Sequence, residues 1–429
     1  MENKLVVYGG NIIKGNLKVS GAKNSILGLI AAALIAHEPV IFTNVPNILD
    51  IENYLKILNK LGVESNWIKE EGRLAIHAQN FDSHIIDVDL ARSFRASIGL
   101  ICPLLIRKKK IMIPFPGGDQ IGERPLAEMM RGIEMMGARI KYESGIFLIE
   151  RDEILNGIDI ELEYPSHSAT IVLMVLASFA QGKTTINNAA LEPEIIDMQN
   201  LLTRMGVRIY GAGSSKLIIY GTEAVKGCEY DVMPDRLQIG TYVVATLMTD
   251  GEILVPRGYL QNLESFMDLI KNIGAIIETV DTNTIRISGK RPYRSVSFET
   301  NPYPGVPTDL QAILTALLTT CSGESYIKEN VFENRLHHIP EIIKLGGIIE
   351  ILSNREVVIK GPTKFEDNHI VAAKDIRGGM SLLLCGLSLC EGEKVTINNT
   401  FHIERGYPDF VKTFNSLGAH MQYQEGANV

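Results

Sequence analysis

The stretch Ser25-Ile-Leu-Gly-Leu-Ile-Ala-Ala-Ala-Leu-Ile-Ala36, followed by Asp50-Ile-Glu-Asn-Tyr-Leu-Lys-Ile-Leu-Asn-Lys-Leu61-Gly62, decides the fold because the chain repeats its pattern six times. An apolar run is followed by a short β-rich stretch, a second, amphipathic run, and a large apolar residue before Gly. The closing pairs are Leu61-Gly62, Met136-Gly137, Met205-Gly206, Ile273-Gly274, Leu345-Gly346 and Leu417-Gly418. Successive glycines are 75, 69, 68, 72 and 72 residues apart, close to one sixth of the 429-residue chain, so the fold is built by internal repetition.

The first helix of each repeat is apolar nearly all round. Its later copies are Ser97 to Ile106, Thr170 to Ala180, Ile239 to Met248, Leu310 to Thr320 and Gly379 to Leu389. A helix without a polar face belongs inside a domain, and each run falls short of the roughly 18 apolar residues a membrane span needs. The second helix carries charge on one side, and its trailing Gly suits a left-handed C-cap. Thr184–Asn187, Thr284–Ser288 and Lys394–Asn398 read as strands. Three units make about 215 residues, a size that supports one core. The expectation is therefore an α/β protein of two domains with three βαβ-type repeats each and a ligand cleft between them.

At 45% apolar and 21% charged, the composition is that of a soluble globular protein, and a formal charge of −8 argues against a general nucleic-acid binder. The start, Met1 to Gly10, lacks a long apolar core or a cleavage-like site, which predicts a cytoplasmic protein. Cys102, Cys228, Cys321, Cys385 and Cys390 read as buried thiols with no metal-like spacing. The basic run Arg107-Lys-Lys-Lys110 reads as a solvated helix end. No metal, cofactor or membrane partner is expected, and a monomer is the default.

Positive charge recurs at equivalent points. Lys23, Arg95, Arg236 and Arg377 lie at or before apolar helices, and Arg335 and Arg405 precede second helices. Exposed N–H groups and a nearby cation together make an anion site. Cations converging from several repeats would suit a ligand carrying phosphate and carboxylate.

Those residues sit in motifs that resemble a known family. They are Val19-Ser-Gly-Ala-Lys-Asn24, Pro116-Gly-Gly-Asp-Gln-Ile-Gly-Glu-Arg-Pro125, Glu192-Pro-Glu-Ile-Ile-Asp197, Met233-Pro-Asp-Arg236, Pro307-Thr-Asp309, Val331-Phe-Glu-Asn-Arg335 and His402-Ile-Glu-Arg-Gly-Tyr407. In this order over nearly the whole length, the chain resembles the UDP-N-acetylglucosamine 1-carboxyvinyltransferases, the enolpyruvyl transferases that open bacterial peptidoglycan synthesis. The resemblance implies an inside-out α/β barrel in two domains. One comprises residues 1–20 and 234–429; the other, 21–233, carries the catalytic loop 114–125. It also implies transfer of the enolpyruvyl group of phosphoenolpyruvate to the 3-hydroxyl of UDP-N-acetylglucosamine, with roles in cell-wall biogenesis, cell shape and the division cycle.

By this resemblance Asp309 is the base at the acceptor hydroxyl, Lys23, Arg124 and Arg405 hold phosphate, and Arg335 and Arg377 hold the carboxylate. Asn24 and Arg95 contact the acceptor, and Pro125, Leu126, Ser166 and Val331 join the substrate-binding set. His167 either donates to the ligand or packs in the cleft wall. Asp119 stands where most members carry Cys. A carboxylic acid can protonate carbon where a closed, water-poor site keeps it neutral, but it is a poor nucleophile toward the epoxide fosfomycin, so insensitivity is expected. Leu126-Ala-Glu-Met129 and Tyr164-Pro-Ser-His-Ser168 depart from the family pattern on the acceptor side. They leave open a different nucleotide or nucleoside acceptor, and a non-catalytic regulatory paralogue is a further alternative.

Overall fold

The structure, a computed structural model, describes residues 4–122 and 126–424. These fall into two compact units. Unit 1 gathers the residues up to Val19, the short stretch beginning at Asp119, and those from Asp235 onward; unit 2 gathers Ser20–Gly118 and the residues from Leu126 to Pro234. Arg124 and Pro125 lie outside the described residues.

In unit 1 the apolar helices Arg236–Met248, Thr308–Thr319 and Ile376–Leu387 pack on one another. All 13 residues of the first are buried, which its lack of a polar face requires. Three sheets surround them. The first runs Ile276–Thr279, Thr284–Ser288, Glu252–Pro256, Lys14–Asn16. The second runs Tyr293–Arg294, Cys321–Glu329, Glu356–Gly361, Ile348–Ile351, with Phe298–Thr300 also on the long strand. The third runs Ile370–Ala372, Lys394–Asn398, Lys4–Tyr8, His420–Gln424. The strand Lys4–Tyr8 is thus interior, antiparallel to both neighbours, with Leu5 opposite Ile397 and Tyr423.

Unit 2 has the same plan. Its inner helices are Lys23–Ala33, Ile101–Arg107 and His167–Ala177. Its sheets run Glu229–Asp231, Val40–Thr43, Arg73–His77, Glu64–Ile68; then Lys110–Pro114, Ile146–Glu150, Arg139–Glu143; then Asp159–Glu161, Lys183–Asn187, Lys216–Tyr220, Arg208–Tyr210. Alternation sets the register: Val40 and Phe42 face the core opposite Ile76 and Leu74, and all four are buried. A parallel bridge from Ile85 to Met112 extends the three-stranded sheet.

The six glycines close their helices as the sequence predicts. Each has a positive φ, from 80° at Gly62 to 123° at Gly274. In every repeat the N–H that follows the Gly reaches back five residues, as in Val63 to Leu58 O at 3.0 Å and Ala419 to Phe414 O at 3.0 Å. This is the Schellman closure, which a residue with a Cβ enters only under strain.

Three expectations need correction. The apolar run from Ser97 is not one α-helix: Arg95–Leu100 is a 3-10 turn and the α-helix begins at Ile101. Pro103 has no N–H to give the carbonyl of Gly99, so the four-residue ladder cannot run through this point. The basic run is not simply solvated, because Arg107 is half-buried and donates to the carbonyls of Leu34, Ala36, Ala78 and Gln79. It thereby satisfies carbonyls just beyond the first inner helix. The cysteines are all free, but Cys390 is exposed and Cys228 half-buried.

The inner helices should be the most sensitive part of the core. Leu314, fully buried in Thr308–Thr319, should cost about 2–5 kcal/mol on truncation to Ala, read as a lowered denaturant midpoint at unchanged slope.

Candidate active site

The repeat places a titratable side chain in the first turn of every inner helical segment. In unit 1 these are Arg236, Asp309 and Arg377, at the first or second helical position. In unit 2 they are Lys23 and His167, with Arg95 opening the 3-10 turn. The apolar helices leave such groups no other place, and orphan N–H groups there attract polar partners. Asp235 accepts from Leu237 N and Gln238 N, and Asp375 from Arg377 N and Gly378 N, so carboxylates cap two of the three inner helices in unit 1.

Unit 1 brings Asp309, Arg335 and Arg377 together. Arg335 Nη2 donates to Asp309 Oδ1 at 2.8 Å, and Arg377 Nη2 lies 3.4 Å from Oδ2. Both guanidiniums are almost wholly buried, at 2% and 3% exposure, and Arg335 Nε and Arg377 Nη1 have no hydrogen-bond partner among the described residues. Buried N–H groups left unpaired cost about 1–3 kcal/mol each, a cost that an arriving anion removes. Burial works against the Arg377 charge, but Tyr407, Asp309 and Asp235 more than reverse this and raise its pKa. Arg405, 9% exposed, pairs with Asp119 through Nη1 and Oδ1.

Val331 and Arg335 are positioned by a buried carboxylate absent from the sequence reading. Glu329 Oε1 accepts from Val331 N at 2.8 Å and Phe332 N at 3.0 Å, while Oε2 accepts from Thr308 Oγ1 at 3.0 Å. One side chain thus ties the loop before Arg335 to the first turn that carries Asp309. Its place at the end of a strand, two residues before Val331, was the available signal.

In unit 2, Lys23 Nζ pairs with Asp50 Oδ2 at 2.8 Å, both side chains being less than a tenth exposed. Asp50 lies in the first turn of Leu49–Lys60, where a carboxylate suits the helix dipole. Asn24 follows Lys23 in its helix. The Arg95 guanidinium lies 5.7 Å from the Phe115 ring centroid. The Pro116-Gly-Gly118 stretch permits close approach of the backbone: a Cβ on Gly117 would sit 1.7 Å from Arg92 O. Gly118 needs its φ of 108°.

Leu126 is buried. Ser166 caps the third inner helix by accepting from Ala169 N at 3.3 Å, which leaves its hydroxyl proton to donate elsewhere. His167 is half-buried, and its Nε2 has no hydrogen-bond partner among the described residues. Glu128, not singled out in the sequence, accepts from Glu163 N through Oε1, while its buried Oε2 has no partner among the described residues. Among the described residues no group of His, Cys, Asp and Glu could hold a metal ion, and no helix is long and apolar enough to cross a membrane.

The model of the EPSP synthase (3-phosphoshikimate 1-carboxyvinyltransferase) family matches residues 7–414. A protein of Histophilus somni (strain 129Pt) named UDP-N-acetylglucosamine 1-carboxyvinyltransferase is 39% identical over 420 residues, 98% of each chain. One of the same name from Thermotoga maritima is 37% identical over 426 residues, 99% of this chain and 100% of that one. Among solved structures, the enolpyruvyl transferase NikO from Streptomyces tendae has a TM-score of 0.89 at 23% identity, covering 99% of each chain. An EPSP synthase from Acinetobacter baumannii has a TM-score of 0.76 at 18% identity, covering 99% of this chain and 100% of that one. The chain therefore belongs to the EPSP synthase family of enolpyruvyl transferases, and its fold is the two-domain inside-out α/β fold of that family.

Stability should depend on pH through His338. Burial pushes the pKa of this fully buried imidazole down to about 4, and Asp375 only partly opposes it. The unfolded chain therefore binds the extra proton first, and the stability present above about pH 6.5 is lost as pH falls toward about 4. Burial also lowers His402, in the same sense. Denaturant midpoints at pH 7, 5.5 and 4.5 should fall in that order.

Proposed function

We propose that the chain transfers the enolpyruvyl group of phosphoenolpyruvate to the 3-hydroxyl of UDP-N-acetylglucosamine and releases phosphate. The observation that carries the proposal is the pair of buried guanidiniums that converge on Asp309 at 2.8 and 3.4 Å, Arg335 keeping an Nε–H without a partner among the described residues. Such a pair suits a carboxylate next to a base. Full-length relatives at 37–39% identity, named for this reaction, supply the acceptor.

In this reading the acceptor oxygen bonds to C2 of phosphoenolpyruvate as Asp309 takes its proton, and Asp119 delivers a proton to C3, which becomes a methyl group. Loss of a proton from C3 and of phosphate from C2 then restores the double bond. Arg335 and Arg377 hold the carboxylate, Lys23 and Arg405 bind phosphate, and Val331 contributes to the substrate-binding set. Asn24, Arg95, Leu126, Ser166 and His167 serve the acceptor. The reaction opens peptidoglycan synthesis and so supports cell-wall growth, shape and division, carried out by a cytoplasmic monomer.

Phosphate release from phosphoenolpyruvate with UDP-N-acetylglucosamine should yield a product heavier by one enolpyruvyl group in mass spectrometry. No turnover with this acceptor alongside turnover with another nucleotide or nucleoside would favour the second reading, which His167 Nε2 and Glu128 Oε2, buried without a partner among the described residues, motivate. No turnover with any acceptor would favour a regulatory paralogue.

A carboxylate at position 119 removes the thiolate an epoxide would alkylate. Activity should survive prolonged incubation with fosfomycin; time-dependent inactivation with an adduct at Asp119 would refute this.

A further inference from the structure

Both ring nitrogens of His337 face oxygens that only accept. Nε2 lies 2.6 Å from Asp375 Oδ2, and Nδ1 lies 2.7 Å from the carbonyl oxygen of Asn334. A neutral imidazole has one N–H and would leave a lone pair aimed at one of these acceptors; only the imidazolium supplies both donors.

The two acceptors belong to different parts of unit 1. Asp375, 1% exposed, spends Oδ1 on Arg377 N at 2.8 Å and Gly378 N at 3.1 Å, so it fixes the first turn that carries Arg377. Asn334 donates from Nδ2 to Gln120 O at 2.8 Å and from its backbone N to Ile121 O at 3.0 Å, holding the residues next to Asp119. The ring of His337 stands between these two sets of bonds.

We propose that His337 is a positioning residue, whose imidazolium links the Asp375 cap and Arg377 on one side to Asn334 and the segment bearing Asp119 on the other. It acts through these groups rather than on substrate, and it rests on the roles given to Asp119 and Arg377 under the proposed function.

The charged and titratable groups around the ring agree. Asp375 faces it from the inner helix, Arg335 and His338 from its own turn, and His402 from Phe401–Glu404, where Asp119 and Arg405 act in turn. Burial lowers the His337 pKa, and Arg335 adds to this, but the hydrogen bond and charge of Asp375 outweigh both and raise it above its ordinary value. The stability it contributes is therefore complete below about pH 6.5 and lost as pH rises through its folded pKa.

The test compares the unsubstituted chain with His337→Gln, which keeps one donor and cannot be charged. The pH profile of kcat/KM for phosphoenolpyruvate in the unsubstituted chain should fall through one ionisation above pH 6.5. The variant should start roughly tenfold lower, the effect of one charge-assisted hydrogen bond, and lack that limb. An alkaline limb unchanged in the variant overturns the proposal, since a merely structural role would leave it in place. A nitrogen-15 NMR titration of the histidine rings in the full unsubstituted chain decides the matter independently of the acceptor and of whether the variant folds. Protons on both His337 nitrogens at pH 6.5 support the proposal, and a predominantly neutral ring there overturns it. Failure of turnover with UDP-N-acetylglucosamine would overturn the acceptor assignment and leave the NMR result standing.

Discussion

The structure depends on one constraint: a helix that is apolar on every side must be enclosed on every side. Three such helices in contact shield one another in part, and sheets and amphipathic helices close the remainder, which puts helices inside and strands outside in each unit. The same constraint decides where polar chemistry can sit. Along an inner helix there is no room for a charge, while the first turn offers unpaired N–H groups. Lys23, Arg95 and His167 in one unit, and Arg236, Asp309 and Arg377 in the other, occupy that place in their repeats.

Much of the fold is legible in the sequence because burial on all sides and a left-handed C-cap each leave a local signature. Runs such as Ser25–Ala36 have no polar stripe, and a large apolar residue before Gly marks where the second helix turns away. The break before Ile101 was hidden by the same apolarity, which says that a segment is buried but not which helix it forms. Pro103 was the visible mark of the difference. Arg107 was misread for a related reason: its charge was visible, but the four carbonyls it serves come from two distant stretches.

The candidate site divides the same way. Lys23, Arg335, Arg377 and Arg405 announce themselves by charge and motif. Asp309 was taken from the family resemblance and His167 from a stretch that departs from it, although the repeat itself sets both at the first turns. A search for positive charge alone passes over an acid and an imidazole in equivalent places. Asp50, Glu329, Asp375 and His337 escaped notice because their meaning lies in a partner: 38 residues separate His337 from Asp375. Nothing in the local sequence around either one predicts that pairing.

The interior position of Lys4–Tyr8 bears on the order in which the chain acquires structure. This strand is made before all of unit 2, yet its neighbours, Lys394–Asn398 and His420–Gln424, are made after it. Unit 2, whose described residues end at Pro234, has all the residues of its own core before either neighbour of this strand is made. Unit 1 must hold an unpaired apolar strand in waiting until Lys394–Asn398 and His420–Gln424 have been made. Such a strand is the kind of segment that aggregates or recruits a chaperone, so the hazardous interval in the life of this protein falls during its birth.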